Sequence, residues 1–190
     1  QANETGQQFN WQINVIKSKE LNAWAMPGGK MAFYTGLVDT LQLNDNEIAV
    51  VMGHEMAHAL KEHGKAKVNF GMATNIAASL GHAALSTVIG SSASELAVGL
   101  TKDFALDKPY SRSAETEADE VGLMLMARSG YNPQVAPGLW QKMAKASGGS
   151  KGVLDVLAST HPSDESRQEN LQRLLPEAME LYKAAKNKNG

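Results

Sequence analysis

The chain has 190 residues, 43% of them hydrophobic, and a formal net charge of −2. That length can bury one sizeable core, and the charge balance argues against nucleic acid as main partner, which would need a basic stripe. Cysteine is absent, which removes disulfides, thiolate catalysis and every Cys-based metal site, so any metal must be held by His, Asp or Glu.

No run of eighteen apolar residues occurs, so no bilayer span is expected. Gln1-Ala2-Asn3 reads as a mature or trimmed end, since no basic and then apolar signal segment opens the chain. One domain is expected over 1–190, with a compact core over 8–182 and a polar tail fraying over 183–190. Phe9, Trp11, Ile13 and Val15 alternate with polar residues, the pattern of a half-buried strand. Two short β runs follow near 22–26 and 30–34, and Pro27-Gly28-Gly29 between them predicts a hairpin. Asn44 with Glu47 three residues later resembles a capping box, and a helix of roughly twenty residues should run from there to about Gly64.

The stretch 71–100 is rich in Ala, Gly and Ser, with Asn75, Ser79, His82 and Ser86 too polar for lipid. It suits either a tightly packed helical hairpin or a lid over a cleft. A helix is expected over about 113–129, ending in Gly130, and Asn132-Pro133 reads as the start of another. Residues 147–150 form a Ser/Gly loop. Leu171, Leu174, Leu175, Met179 and Leu181 then follow a helical pattern, bent at Pro176. The expected fold class is α+β, a small sheet beside one key helix with most of the remaining chain helical.

The chemistry concentrates in His54-Glu55-Met56-Ala57-His58. On a helix, positions i and i+4 share a face, so both imidazoles can serve one ion. Glu55 projects about 100° from His54, near enough to reach a water on that ion without ligating it. Two nitrogen ligands and an open position suit zinc, whose bound water has a pKa near ~7, and Glu55 would take that proton as general base. A third protein ligand is required. The metzincin extension needs a glycine and a histidine at the positions where this chain has Lys61 and Gly64, so that class is excluded. A second helix offers Glu115, with Asp119 one turn on to hold the far nitrogen of a ligand histidine. Glu117 is the fallback ligand and otherwise a solvated residue.

These motifs resemble the zinc metallopeptidase family that includes HtpX, the mitochondrial OMA protease and the CAAX prenyl proteases. The shared HExxH and ExxxD patterns fall on His54 to His58 and on Glu115 to Asp119. Similar flanking segments are Asn22-Ala23-Trp24-Ala25-Met26-Pro27-Gly28-Gly29, Gly36-Leu37, Ser111-Arg112 and Thr160-His161-Pro162 with Arg167. The likeness spans roughly 10 to 175 and is greatest to the soluble, LoiP-like envelope branch of Gram-negative bacteria. It implies a gluzincin-type endopeptidase acting on unfolded or misfolded proteins in the periplasm. Outer-membrane attachment would come through an N-terminal lipid anchor upstream of Gln1, with other envelope proteases or assembly factors as partners.

The resemblance also places His161 and Arg167 at the catalytic site. His161 would either block the water position or stabilise the oxyanion, and Arg167 accompanies it in contacting the tetrahedral intermediate. Gluzincin-type enzymes bind substrate as an added strand, for which Asn22, Ala23, Trp24, Ala25 and Met26 are the candidates. Arg112 reads better as a structural ion-pair partner, and His63 and His82 as structural or solvent-facing. The rival reading is a chaperone or scaffold for envelope assembly with a latent zinc site. A purely structural zinc site is disfavoured by Glu55, a base that such a site would not need.

Overall fold

The computed structural model describes residues 9–63, 109–148 and 156–189. The stretch 71–100 and His82 lie outside the described residues. Strand β1 (Gln12–Ile16) runs parallel to β3 (Lys30–Tyr34), and β2 (Ala23–Ala25) runs antiparallel to β3 on its other side. The expected β2–β3 hairpin forms, with Trp24 opposite Ala32. Gly28 and Gly29 make its turn at φ +96 and +104, a conformation open to glycine at little cost. Gly29 also lies against the incoming chain, where a Cβ would stand 3.0 Å from the Asn10 carbonyl oxygen.

The alternation in β1 does not produce burial. Ile13 and Val15 are 51% and 73% exposed. In register they sit beside Met31 and Phe33, which are buried. The helix over Asp45–Leu60 packs against the β2 side of the sheet, at Ala25, Met31 and Ala59. The β1 end of each row overhangs it, so the pattern identifies the correct face of a strand that the core does not reach. Ile13 and Val15 instead border an apolar groove of about 290 Å³ with Phe33, Val38, Ile48 and Met52.

Helix α1 (Thr35–Leu41) follows β3 directly. Gly36 lies under residues 18–20, where a Cβ would meet the Lys19 carbonyl carbon at 2.4 Å. Helix α2 (Asp45–Leu60) opens with the expected reciprocal cap: Glu47 N–H donates to Asn44 Oδ1 at 3.1 Å, and Asn44 N–H to Glu47 Oε2 at 3.0 Å. It ends at Leu60, short of Gly64, because Glu62 turns left-handed at φ +56.

Helix α3 (Arg112–Arg128) is capped by Ser111, whose hydroxyl accepts from Ala114 N–H at 3.2 Å. Asn132-Pro133 starts a 3-10 turn (Pro133–Val135) that leads into α4 (Ala136–Gly148). A short α5 (Val156–Thr160) precedes α6 (Glu165–Asn189). Helix α6 is continuous through Pro176, and the segment expected to fray is its last two turns. Ala178 and Ala185 extend its buried stripe, and the Lys183 ammonium pairs with Glu180 at 3.0 Å. The main core gathers Leu37, Val51, Leu139, Trp140, Leu157 and Leu171 between the helices.

Helices α2 and α3 cross through two facing glycines. A Cβ on Gly53 would lie 2.7 Å from the Gly122 carbonyl oxygen, and one on Gly122 would lie 2.7 Å from His54 N. Both obstacles are backbone, so no rotamer change relieves them. Gly122→Ala should therefore destabilise the fold by about 1–3 kcal/mol, although alanine gains up to about 1 kcal/mol in helix propensity. Urea unfolding checks the sign, and a stabilised variant would contradict the tight crossing.

Candidate active site

Helix α2 carries His54, Glu55 and His58 inward, each only 1% exposed. Helix α3 brings Glu115 to meet them, fully buried. The Nε2 atoms of His54 and His58 lie 3.0 Å apart. Glu115 Oε2 is 3.3 Å from His54 Nε2, and Glu115 Oε1 is 2.9 Å from His58 Nε2. A tetrahedral ion with ligand bonds of 2.0–2.1 Å sets its ligand atoms about 3.3 Å apart. The donor spacing therefore fits one such ion. A second observation agrees: both Glu115 oxygens are buried without an aligned hydrogen bond, and while Arg167 answers Oε2 at 2.8 Å, Oε1 faces the imidazoles, where a bound cation would offset the cost of its burial.

His161 joins this group from the end of α5, and one donor atom from each of His54, His58, Glu115 and His161 lies within 4.8 Å of the others. The Nε2 of His161 is 2.9 Å from Glu55 Oε1 and 4.0 Å from Glu115 Oε1. The contact to Glu55 is short but not aligned as a hydrogen bond, so it is electrostatic in kind. On its other edge, His161 Nδ1 lies 2.9 Å from Thr160 Oγ1 and 3.1 Å from the Leu157 carbonyl oxygen.

Asp119, one turn after Glu115, reaches His54 Nδ1 at 3.0 Å, off the ring N–H axis. Arg167 grips Asp119 in a two-pronged pair, Nε to Oδ2 at 2.7 Å and Nη2 to Oδ1 at 2.8 Å. Its Nη1 contacts Glu115 Oε2 at 2.8 Å and donates to the Pro162 carbonyl at 2.8 Å. Its guanidinium is committed to Asp119, Glu115 and backbone carbonyls, and it lies over the Trp140 ring at 4.7 Å. Arg112 is 92% exposed and stands 3.9 Å from Asp164, consistent with the structural reading.

Three contributors escaped the sequence reading. The Tyr110 ring stacks on His58 at 3.7 Å and 14°; its only signal was its place just before the α3 cap. Trp140 packs against His54 at 4.8 Å, for which spacing offers no cue. His63 is buried with Nδ1 2.9 Å from His58 Nδ1, so of its two expected readings the structural one holds and the solvent-facing one does not, and its contact with His58 was not foreseen.

The titration behaviour follows from burial opposed by charge. Burial alone would lower His54, but the Glu115 carboxylate and the contacts to Asp119 and Glu115 push it up to about 9. For His58 burial wins, helped by neighbouring His54, and it falls to about 3. Burial would raise Glu115, yet the His54 and His161 imidazoles hold it well below the usual carboxylate range. Glu55 is lowered in the same way, against its burial, chiefly by His161. Asp119 is lowered by Arg167 and His54, again against its burial. Ionised carboxylates are thus buried beside the two α2 imidazoles.

Such a cluster could hold one metal ion, the arrangement that a metal-dependent peptidase requires. Residues 1–175 match Peptidase family M48, and the chain belongs to that family. Mitochondrial metalloendopeptidase OMA1 of Arabidopsis thaliana is 35% identical over 177 residues, covering 92% of this chain and 34% of that protein. OMA1 of Schizosaccharomyces pombe is 35% identical over 170 residues, covering 90% and 48%. Metalloprotease LoiP of Escherichia coli is 29% identical over 174 residues, covering 90% and 66%. The chain thus spans only a third to a half of these OMA1 proteins. No helix among the described residues is long and apolar enough to cross a membrane.

Two measurements follow. Asp119→Ala leaves Arg167 buried against a single carboxylate and His54 Nδ1 without its partner, so metal affinity should fall 10–100-fold and stability by about 3–5 kcal/mol. Chelator competition and urea melts check both. A metal ion must also displace the His54 proton below about 9. Apparent affinity should therefore rise with pH, about tenfold per unit for one displaced proton, and level off near that value. A flat profile across neutral pH would contradict the raised His54.

Proposed function

We propose that this protein is a zinc-dependent endopeptidase that hydrolyses unfolded or misfolded proteins in envelope quality control. The observation that carries the reading is the convergence of His54 Nε2, His58 Nε2 and Glu115 within 3.3 Å of one another, with Glu55 beside them. His54, His58 and Glu115 hold the zinc. The bound ion supplies a polarised water of lowered pKa and a Lewis acid for the scissile carbonyl. Glu55, kept ionised, takes the proton of the attacking water and passes it to the leaving amine. Asp119 and Arg167 are positioning residues: one holds the His54 ring and the other holds Asp119 and Glu115. Asn22, Ala23, Trp24, Ala25 and Met26 supply a sheet edge along which an extended chain pairs by its backbone. In support, among the described residues β2 is an edge strand, and it packs against α2 through Ala25 and Ala59.

The reading extends to a periplasmic setting with outer-membrane association and with other envelope proteases or assembly factors as partners; its support is the 29% identity to Metalloprotease LoiP of Escherichia coli. A second reading rests on His161. Its Nε2, 2.9 Å from Glu55 and within reach of the metal donors, suits a latent site in a protein that serves mainly as a chaperone or scaffold.

Casein digestion by zinc-loaded protein tests the first reading. Glu55→Gln should keep its zinc and lose activity by about 10²–10⁴-fold; undiminished cleavage would overturn the role of Glu55. His161→Ala separates the two readings. Activity should rise if His161 blocks the base, and fall if it stabilises the oxyanion.

A further inference from the structure

The ring of His58 has two working edges. Its Nε2 faces His54 and Glu115. Its Nδ1, on the opposite edge, lies 2.9 Å from Nδ1 of His63. The Nε2 of His63 is in turn 2.8 Å from Glu117 Oε2, and the other oxygen of Glu117 is 2.9 Å from Lys61 Nζ. We propose that His63 and Glu117 are positioning residues for His58, a relay that fixes the tautomer and ring orientation through which His58 offers Nε2 to the metal. The proposal rests on the reading that His58 is a metal ligand.

With both rings neutral, the proton assignments along the relay have one consistent solution. The Glu117 carboxylate is half-exposed and pairs with Lys61 at 2.9 Å, and a carboxylate has only acceptor atoms to offer. The proton between it and His63 therefore sits on His63 Nε2. A neutral His63 then has a bare Nδ1, which accepts from His58 Nδ1–H. A neutral His58 that carries its proton on Nδ1 has a free lone pair on Nε2, the atom that faces Glu115. A carboxylate two rings away thus selects the metal-binding form of a ligand. The local backbone is built around this contact. Position 63 is five residues past 58 and would point elsewhere if α2 continued. Glu62 at φ +56 breaks the helix and returns His63 beneath His58, although a left-handed residue other than glycine is disfavoured.

The two α2 histidines are therefore supported in different ways. His54 meets a carboxylate directly, at Asp119. His58 meets one through an intervening imidazole. Both carboxylates come from α3, two residues apart.

Zinc affinity measured by competition with a chromophoric chelator tests the relay. His63→Leu should weaken zinc binding by about 10–100-fold, while His63→Asn, which can still accept from His58 Nδ1–H, should recover most of the loss. Glu117→Gln should weaken binding less than His63→Leu. Equal affinity in wild type and His63→Leu would overturn the proposal, as would equal losses in the Leu and Asn variants. Long-range ¹H–¹⁵N spectra of the zinc-loaded wild type give a reading that does not depend on any variant folding. His58 should show its proton on Nδ1 and His63 on Nε2, and the reverse assignment would sink the relay. His58→Ala separates this proposal from the reading beneath it. If that variant keeps full zinc affinity, His58 is not a ligand. If it loses zinc while His63→Leu does not, only the relay fails.

Discussion

The distance between α2 and α3 governs the whole molecule. Gly53 and Gly122 let the two backbones touch, with no room for even a methyl group between them. That contact lies one residue from His54 and two turns along α3 from Glu115. It sets how near the second helix can bring its carboxylate to the imidazoles of the first. A side chain at either glycine would separate the helices by an amount comparable to the metal–ligand tolerance of a few tenths of an ångström. The capped start of α2, the Ser111 cap of α3 and the Trp140 ring against His54 all serve to hold this crossing in register.

Burying so many ionisable groups at one point is expensive unless each is answered. Here the answers are layered. Glu115 meets two imidazoles on one side and Arg167 on the other. Asp119 lies between His54 and the fork of Arg167. The carbonyls of His161 and Pro162 take up the remaining guanidinium donor. Among the described residues, the Glu55 and Glu115 oxygens keep these contacts without an aligned hydrogen bond. The arrangement suits a cation held by a rigid cage rather than one recruited by a flexible loop.

Local rules made part of this legible from residues alone. The capping box at Asn44, the turn at Pro27-Gly28-Gly29 and the spacing of His54 to His58 each depend on neighbours a few positions apart. The pairing of Glu115 with Asp119 does so as well. What escaped depends on distant contacts. Helices α1 and α5, of seven and five residues, are too short to stand on propensity and exist through packing. The exposure of Ile13 and Val15 reflects where α2 happens to end its cover of the sheet. The end of α2 itself is set by Glu62, a residue type that carries no stop signal. Arg167 was named from family likeness, but its task is visible only once α6 is seen to bring it behind Asp119. His63 lay in plain view beside the motif and read as idle, because a helix extended past Leu60 would have turned it away.

Helix α6 contributes no donor atom to the metal cluster, yet through Arg167 it holds two of the carboxylates that shape it. Docking of this helix and occupancy of the site are therefore linked equilibria. Whatever stabilises the cluster must, by the same free energy, suppress local opening of α6. Amide exchange in a helix that ends at Asn189 becomes a remote gauge of an event some twenty residues upstream. A substitution far along α6 that loosens its docking will present as a metal-affinity defect, although nothing near the metal has changed.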